Sequence, residues 1–179
     1  LANENLGYGK ANNIGLKKAK TKYCLVLNPD TILEKDAIRN FYFSVEKNKN
    51  FYIIAPLQVK DEFSKNNNFT NGSTFLEAKH VEGFAMFLNM EKFSDIGFFD
   101  ENFFLYLEEI DLCKRVKDKN GVILVNNNIK IFHFAGKSVK NTFSYQVELT
   151  RNWHWMWSLF YYNKKHYNYF YALILVSPK

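Results

Sequence analysis

The chain has 179 residues, 47% hydrophobic and 18% aromatic, which excludes disorder and suits one domain with a small appendage. The formal net charge is +6. Its lysines are scattered, as at Lys17-Lys18 and Lys164-Lys165, and no dense arginine stripe appears, so no nucleic-acid partner is expected.

Residues 8–20 place Ala11, Ile14, Gly15 and Ala19 at helical spacing. The apolar run 23–27 predicts a strand buried on both faces. Pro29 cannot continue a central strand, so Asn28-Pro29-Asp30-Thr31 is a turn. A helix is predicted over 34–47, with Ala37, Ile38, Phe41 and Val45 on one face, and a second buried strand over 52–55, ended by Pro56. Strand, helix, strand in this order predicts a right-handed crossover in an α/β sheet. The Asn-rich stretch 60–74 reads as a surface loop. A strand over 81–90 follows, with Glu82-Gly83 at its entrance, then a short helix over 91–96 closed by Gly97. A densely aromatic stretch, 98–106, leads into a helix over 108–117. Short strands are predicted over 122–125 and 129–134, a loop at Ala135-Gly136-Lys137-Ser138, and an aromatic helix over 144–166. Cys24 and Cys113 lie in apolar stretches with no C-x-x-C pair, which predicts reduced thiols rather than a disulfide.

Several residues are placed to carry chemistry. Asp30 follows the carboxyl end of a buried strand, where open α/β sheets bind ligands. A carboxylate there either holds Mg²⁺ or Mn²⁺ against a diphosphate or caps the next helix. In Glu108-Glu109-Ile110-Asp111, helical spacing puts Glu109 with Leu112, Cys113 and Val116, pointing inward, and Glu108 and Asp111 on a more polar face. An inward carboxylate is a candidate general base, and acids at a helix start also simply favour the dipole. His133 ends an aromatic strand and is either packed or, if near Asp30, part of a metal site. The aromatic stretch 153–176 reads either as a membrane-interface helix, with Lys164, Lys165 and His166 meeting head groups, or as a helix packed on the domain. Its apolar end, 169–176, is too short to cross a bilayer.

Taken in order, these residues resemble family 2 glycosyltransferases of the GT-A fold, especially the rhamnosyltransferase-like group. Asn5-Leu6-Gly7-Tyr8-Gly9-Lys10-Ala11-Asn12-Asn13-Ile14-Gly15 resembles the family's N-x-G-[FY]-[GA]-x-[AG]-N-N-x-G segment. Leu27-Asn28-Pro29-Asp30-Thr31 is similar to its L-N-P-D variant of D-x-D, and Glu82-Gly83-Phe84 to its glycine-containing strand. Gly97-Phe98-Phe99-Asp100-Glu101, followed by Tyr106-Leu107-Glu108-Glu109-Ile110-Asp111-Leu112, resembles its G-x-F-D-E and E-D-x-D-L block. His133-Phe134-Ala135-Gly136-Lys137-Ser138 is similar to its H-x-x-G-x-S segment.

The resemblance implies an α/β GT-A sheet flanked by helices, as a partial glycosyltransferase domain over 1–143, with an aromatic helical region over 144–179. It implies inverting sugar transfer from a nucleotide-sugar donor to a glycan or polyprenyl-linked acceptor. The donor sugar would be rhamnose and the setting cell-surface polysaccharide synthesis, in the cytoplasm at the inner face of the membrane. Asn12, Asn13, Asn28, Asp30 and Gly83 would contact the donor, and Asp30 and His133 a divalent ion, Mg²⁺ or Mn²⁺. Glu109 stands where the family has its catalytic aspartate, and Glu108 and Asp111 remain alternatives. The chain opens after the family's V-T-Y-N strand and V-D-N-x-S-x-D segment, so it reads as the C-terminal portion of such an enzyme. A catalytically silent fragment or interaction module is the competing reading.

Overall fold

A computed structural model describes residues 4–59, 74–134 and 144–177. The expected loop over 60–74, apart from Thr74, and the Ala135-Gly136-Lys137-Ser138 segment lie outside them. The chain divides into two compact units. A sheet unit comprises residues 19–97 and 113–138, and a helical unit comprises 1–18, 98–112 and 139–179.

The sheet unit carries β1 (Tyr23–Leu27), β2 (Thr31–Leu33), α2 (Ala37–Lys47), β3 (Phe51–Val59), β4 (Phe75–Glu77), β5 (Ala85–Asn89) and β6 (Val122–His133). Strand order is β1-β5-β3-β6-β2, with β4 also paired to β6. Strands β1 and β3 each pair antiparallel with β5. They therefore run parallel to one another with β5 between them, as a strand–helix–strand crossover requires. The long β6 runs parallel to β3 and antiparallel to β2 and β4.

Local chemistry accounts for the departures from expectation. Pro56 does not end β3. It pairs in register with Asn126, and the register shifts directly after it, which accommodates the missing N–H. The two strands expected over 122–134 are halves of β6, separated in their pairing with β3 by the same shift, at 127–129. Of the strand expected over 81–90, residues 81–82 are irregular, 83–84 form a turn into β5, and a 3-10 helix, Met90–Phe93, follows β5. Gly97 closes that stretch at φ +68, its N–H donating to Phe93.

Helix α2 buries Ala37, Phe41 and Ser44, while Ile38 is exposed. The inward stripe thus runs i, i+4, i+7 from Ala37, and Ile38 lies outside it. Buried Ser44 is satisfied, since Asn126 Nδ2 donates to its hydroxyl at 2.7 Å. Phe41, Phe51, Ile54, Ala85, Ile129 and Ile131 form the core, and the rings of Tyr23, Phe41 and Phe51 each stack with Phe87. Cys24 and Cys113 form no disulfide.

The helical unit holds α1 (Tyr8–Lys18), the start of α3 (Glu108–Asp118), α4 (Ser144–His166) and α5 (Tyr169–Val176). Helix α1 buries Gly9, Asn13 and Leu16, whereas Ile14 is exposed. Gly7 precedes α1 at φ +76, and a Cβ there would collide with the Phe104 carbonyl. Only glycine accommodates both constraints. Asn168 caps α5, accepting from the Tyr171 N–H at 2.8 Å, and α5 packs on α4 through Phe160 and Tyr169.

Candidate active site

In the sheet unit, β1 ends in the Asn28-Pro29-Asp30-Thr31 turn. The Thr31 hydroxyl donates to Asn28 O at 2.7 Å, and Asn28 N–H donates to Phe84 O at 2.8 Å. That second bond ties the turn to the Gly83–Phe84 turn leading into β5. Antiparallel pairing sets Thr31 opposite His133, and Phe134 N–H donates to Asp30 O at 3.0 Å. This register brings the predicted metal ligands together, with His133 Nε2 3.4 Å from Asp30 Oδ1. The imidazole stacks on Phe84, centroids 4.9 Å apart and planes within 11°, so its orientation is fixed by packing.

The residues present fit a divalent ion. A separation of 3.4 Å is long for a hydrogen bond, whereas adjacent ligands of an octahedral ion lie roughly 3 Å apart. Buried His133 Nδ1 has no hydrogen-bond partner among the described residues. A carboxylate and an imidazole are a donor set that substrate phosphates and water would complete. No cluster of three or more His, Cys, Asp or Glu side chains suited to a metal occurs among the described residues.

In the helical unit, α3 opens on Glu108, Glu109 and Asp111, favourably placed against the helix dipole. The structure corrects the expected faces. Glu108 is 5% exposed and Asp111 0%, while Glu109 is half-buried. Leu112 stands four residues after Glu108 and Cys113 four after Glu109, and both are fully buried. The wide buried face of α3 therefore allows either acid to point inward, and periodicity alone chose the wrong one. Burial, aided by the neighbouring Glu109 charge, pushes the Glu108 carboxyl up to about 8. Its Oε2 has no hydrogen-bond partner among the described residues. Tyr8 is pushed up as well, first by burial and then by Glu108 and Glu109.

The approach to this acid turn is strained. Tyr106 and Leu107 both lie in the left-handed region, at φ 72 and 66, which costs roughly 1–2 kcal/mol for each non-glycine residue. Consecutive residues of this kind persist where the surroundings over-determine them, typically at functional sites.

Asn13 and Asn12 hold different places. Asn13 Nδ2 donates to Phe99 O at 2.8 Å and to Glu101 at 3.0 Å, and its Oδ1 accepts from Phe99 N–H at 3.0 Å. It works as a side-chain staple between α1 and 99–101, and with Lys17 it keeps the Glu101 carboxyl below its ordinary range. Asn12 lies one position round the helix, partly exposed, and donates to Tyr8 O.

Sequence reasoning missed one cluster. Lys165 Nζ lies 2.7 Å from Asp100 Oδ2 and 2.6 Å from Asp111 Oδ1, and His166 Nε2 lies 2.7 Å from the same Asp111 oxygen. Tyr161 donates to Asp100 at 3.0 Å. Burial pushes the Asp100 carboxyl up, but hydrogen bonds from Lys165 and Asn102 outweigh it and hold it at about 2. Lys165 and His166 are therefore committed to carboxylates, which favours the packed-helix alternative for this turn over the one in which they meet lipid head groups, and Lys164 lies exposed. The available signal was the spacing of His154, Ser158, Tyr161 and Lys165, a stripe on one face of an otherwise aromatic helix.

Ahead of the part that α5 covers, the opposite face of α4 is apolar, with Leu149, Trp153 and Met156 all exposed, and in α5 Phe170 and Ile174 are three-quarters exposed. No described helix is long and apolar enough to cross a membrane.

Comparison with known proteins adds to this geometry. The model of glycosyl transferase family 2 matches residues 1–113. The low-salt glycan biosynthesis hexosyltransferase Agl10 of Haloferax volcanii is 29% identical over an alignment of 138 residues, covering 65% of this chain and 45% of that protein. The crystal structure of GalNAc-T7 with UDP, GalNAc and Mn²⁺ superposes with a TM-score of 0.61 at 14% identity, over 74% of this chain and 31% of that one. At that identity the likeness is one of fold. The chain spans less than half the length of either protein.

Proposed function

The chain belongs to glycosyl transferase family 2 and has the GT-A fold, and from that premise we propose that it transfers a hexose from a nucleotide-sugar donor to a glycan or polyprenyl-linked acceptor. The carrying observation is the Asp30–His133 pair at the end of β1, 3.4 Å apart and oriented by Phe84. A divalent ion held there, Mg²⁺ or Mn²⁺, would offset charge developing on the departing nucleoside diphosphate. Asn28 and Gly83, at the two turns joined beside that pair, and Asn12 are assigned to the donor, and Asn13 to holding the segment around Phe99.

Among the three acids in the first turn of α3, Glu109 is the base. Glu108 titrates at about 8 and so keeps its proton at neutral pH. Asp111 is fully buried against Lys165 and His166. Half-buried Glu109 would take the proton from an acceptor hydroxyl as that oxygen attacks the anomeric carbon from the face opposite the diphosphate, inverting the centre. Glu108, a neutral neighbour, keeps a second negative charge away from the base.

The uncovered aromatic face of α4 and α5 supports a peripheral site at the cytoplasmic face of a membrane, where a polyprenyl-linked acceptor would be met. Aromatic rings favour that interface, and Lys164 adds a cation for anionic lipid. The intact protein is to be tested on a panel of sugar nucleotides, rhamnose donors first, with Mn²⁺ and with chelator. Release of nucleoside diphosphate that needs both metal and acceptor is the expected result. No release from any donor would favour a silent interaction module.

A further inference from the structure

The last turn of α4 carries an arrangement that a packed or membrane-lying helix does not require. Asp111 is 0% exposed, and a buried carboxylate is tolerated only when paired and hydrogen-bonded. Part of that pairing comes from far along the chain. Lys165 Nζ lies 2.6 Å from Asp111 Oδ1 and 2.7 Å from Asp100 Oδ2, and His166 Nε2 lies 2.7 Å from Asp111 Oδ1. The ammonium also sits over the Phe103 ring, 5.9 Å from its centroid.

The same face of α4 reaches the chain on the other side of the acid turn. Ser158, 0% exposed, donates to Leu105 O at 2.7 Å. Trp155 meets the Tyr106 ring edge-on, centroids 5.6 Å apart, and His154 stacks on Phe104 at 4.4 Å. Contacts from α4 therefore bracket the left-handed pair Tyr106–Leu107 and the two glutamates after it. Leu105 and Tyr106 are fixed before them and Asp111 after them. Within the bracket, Asp111 N–H donates to Leu107 O at 2.8 Å. A strained turn relaxes unless both of its ends are held.

We propose that Lys165 is a positioning residue: by bridging Asp100 and Asp111 it clamps the strained turn that presents Glu108 and Glu109. The catalytic part of this rests on the transfer reaction above, and the clamp itself does not. On this account α4 is an integral part of the acid-bearing unit rather than an appendage.

The test compares Lys165→Met and the near-isosteric Asp111→Asn with the parent in the intact protein, by amide hydrogen exchange and by kinetics. The clamp predicts exchange of amides 108–112 faster by about tenfold or more in both variants, with α1 unchanged. It also predicts that kcat falls about tenfold to a hundredfold while the donor KM stays within about twofold, since only orientation is lost. Unchanged exchange at 108–112 in either folded variant overturns the proposal. If Lys165→Met unfolds the unit, Asp111→Asn alone decides by the same criterion. Loss of protection throughout α1 in both variants also overturns it, because the pair would then be a general folding determinant. A parent with no transferase activity would sink the enzymatic reading, and the exchange rates would still decide for or against the clamp.

Discussion

The two units differ in what they bury beside their apolar side chains. The sheet unit is conventional, with Ile53, Ile54, Met86, Leu88, Ile123 and Ile131 fully buried and the Asp30–His133 pair partly exposed beside the core. The helical unit buries Asn13, Glu108, Asp111 and Ser158 alongside Phe103, and leaves Trp153, Met156, Phe170 and Ile174 outside. One chain thus contains a unit whose buried polar side chains are the neutral Ser44, Asn89 and Asn126, and another that buries the carboxyl groups of Glu108 and Asp111. The second kind is costly to build. It comes with perturbed acids, Asp100 and Glu108, and with an exposed apolar face, features that cluster at functional and binding sites.

The contrast breaks most visibly under pH. The fold raises the Glu108 carboxyl from 4.5 to about 8, so the native state favours its protonated form. Its stabilising contribution is full below about 4.5 and is lost as pH rises through about 8. Unfolding of the helical unit should therefore become easier by a few kcal/mol over that window. All three tryptophans, Trp153, Trp155 and Trp157, lie in α4, so their fluorescence in urea titrations reports this unit. Glu108→Gln should flatten the dependence. Equal slopes in parent and variant would mean the buried acid does not govern the unit.

A smaller effect sharpens the other half of the contrast. Flotation with anionic vesicles should recover the parent, and replacing Trp153, Phe170 and Ile174 by serine should weaken recovery about tenfold or more. A parent that stays wholly in the soluble fraction would remove the membrane from the account.

Much of the sheet unit was legible in the sequence because its strands are short apolar runs between turn signals. The run 23–27 became β1, and 122–125 and 129–134 became the halves of β6. Strands β2 and β4 escaped because three residues carry no periodicity and exist only through pairing with β6. The Asp30–His133 pairing was anticipated as a possibility, since both lie at strand ends, but only the β2–β6 register brings them together. The helical unit was harder to read. Helices α1, α3 and α4 were placed, but α5 was not set apart as its own helix, and the inward acid was assigned to Glu109 instead of Glu108. The clamp on Asp111 comes from residues more than fifty positions away, and no local pattern encodes such a contact. Nothing about Tyr106 or Leu107 as residue types announces a left-handed backbone.

The proposed reaction rests on a division of labour, with Asp30 serving the donor and Glu109 the proton. It is tested most directly by measuring donor binding in the presence of Mn²⁺ alongside turnover for Asp30→Ala and Glu109→Gln. The account predicts that Asp30→Ala loses donor binding, and that Glu109→Gln binds donor like the parent while turnover falls about a hundredfold or more. Parental turnover by Glu109→Gln, or donor binding untouched by Asp30→Ala, would contradict it.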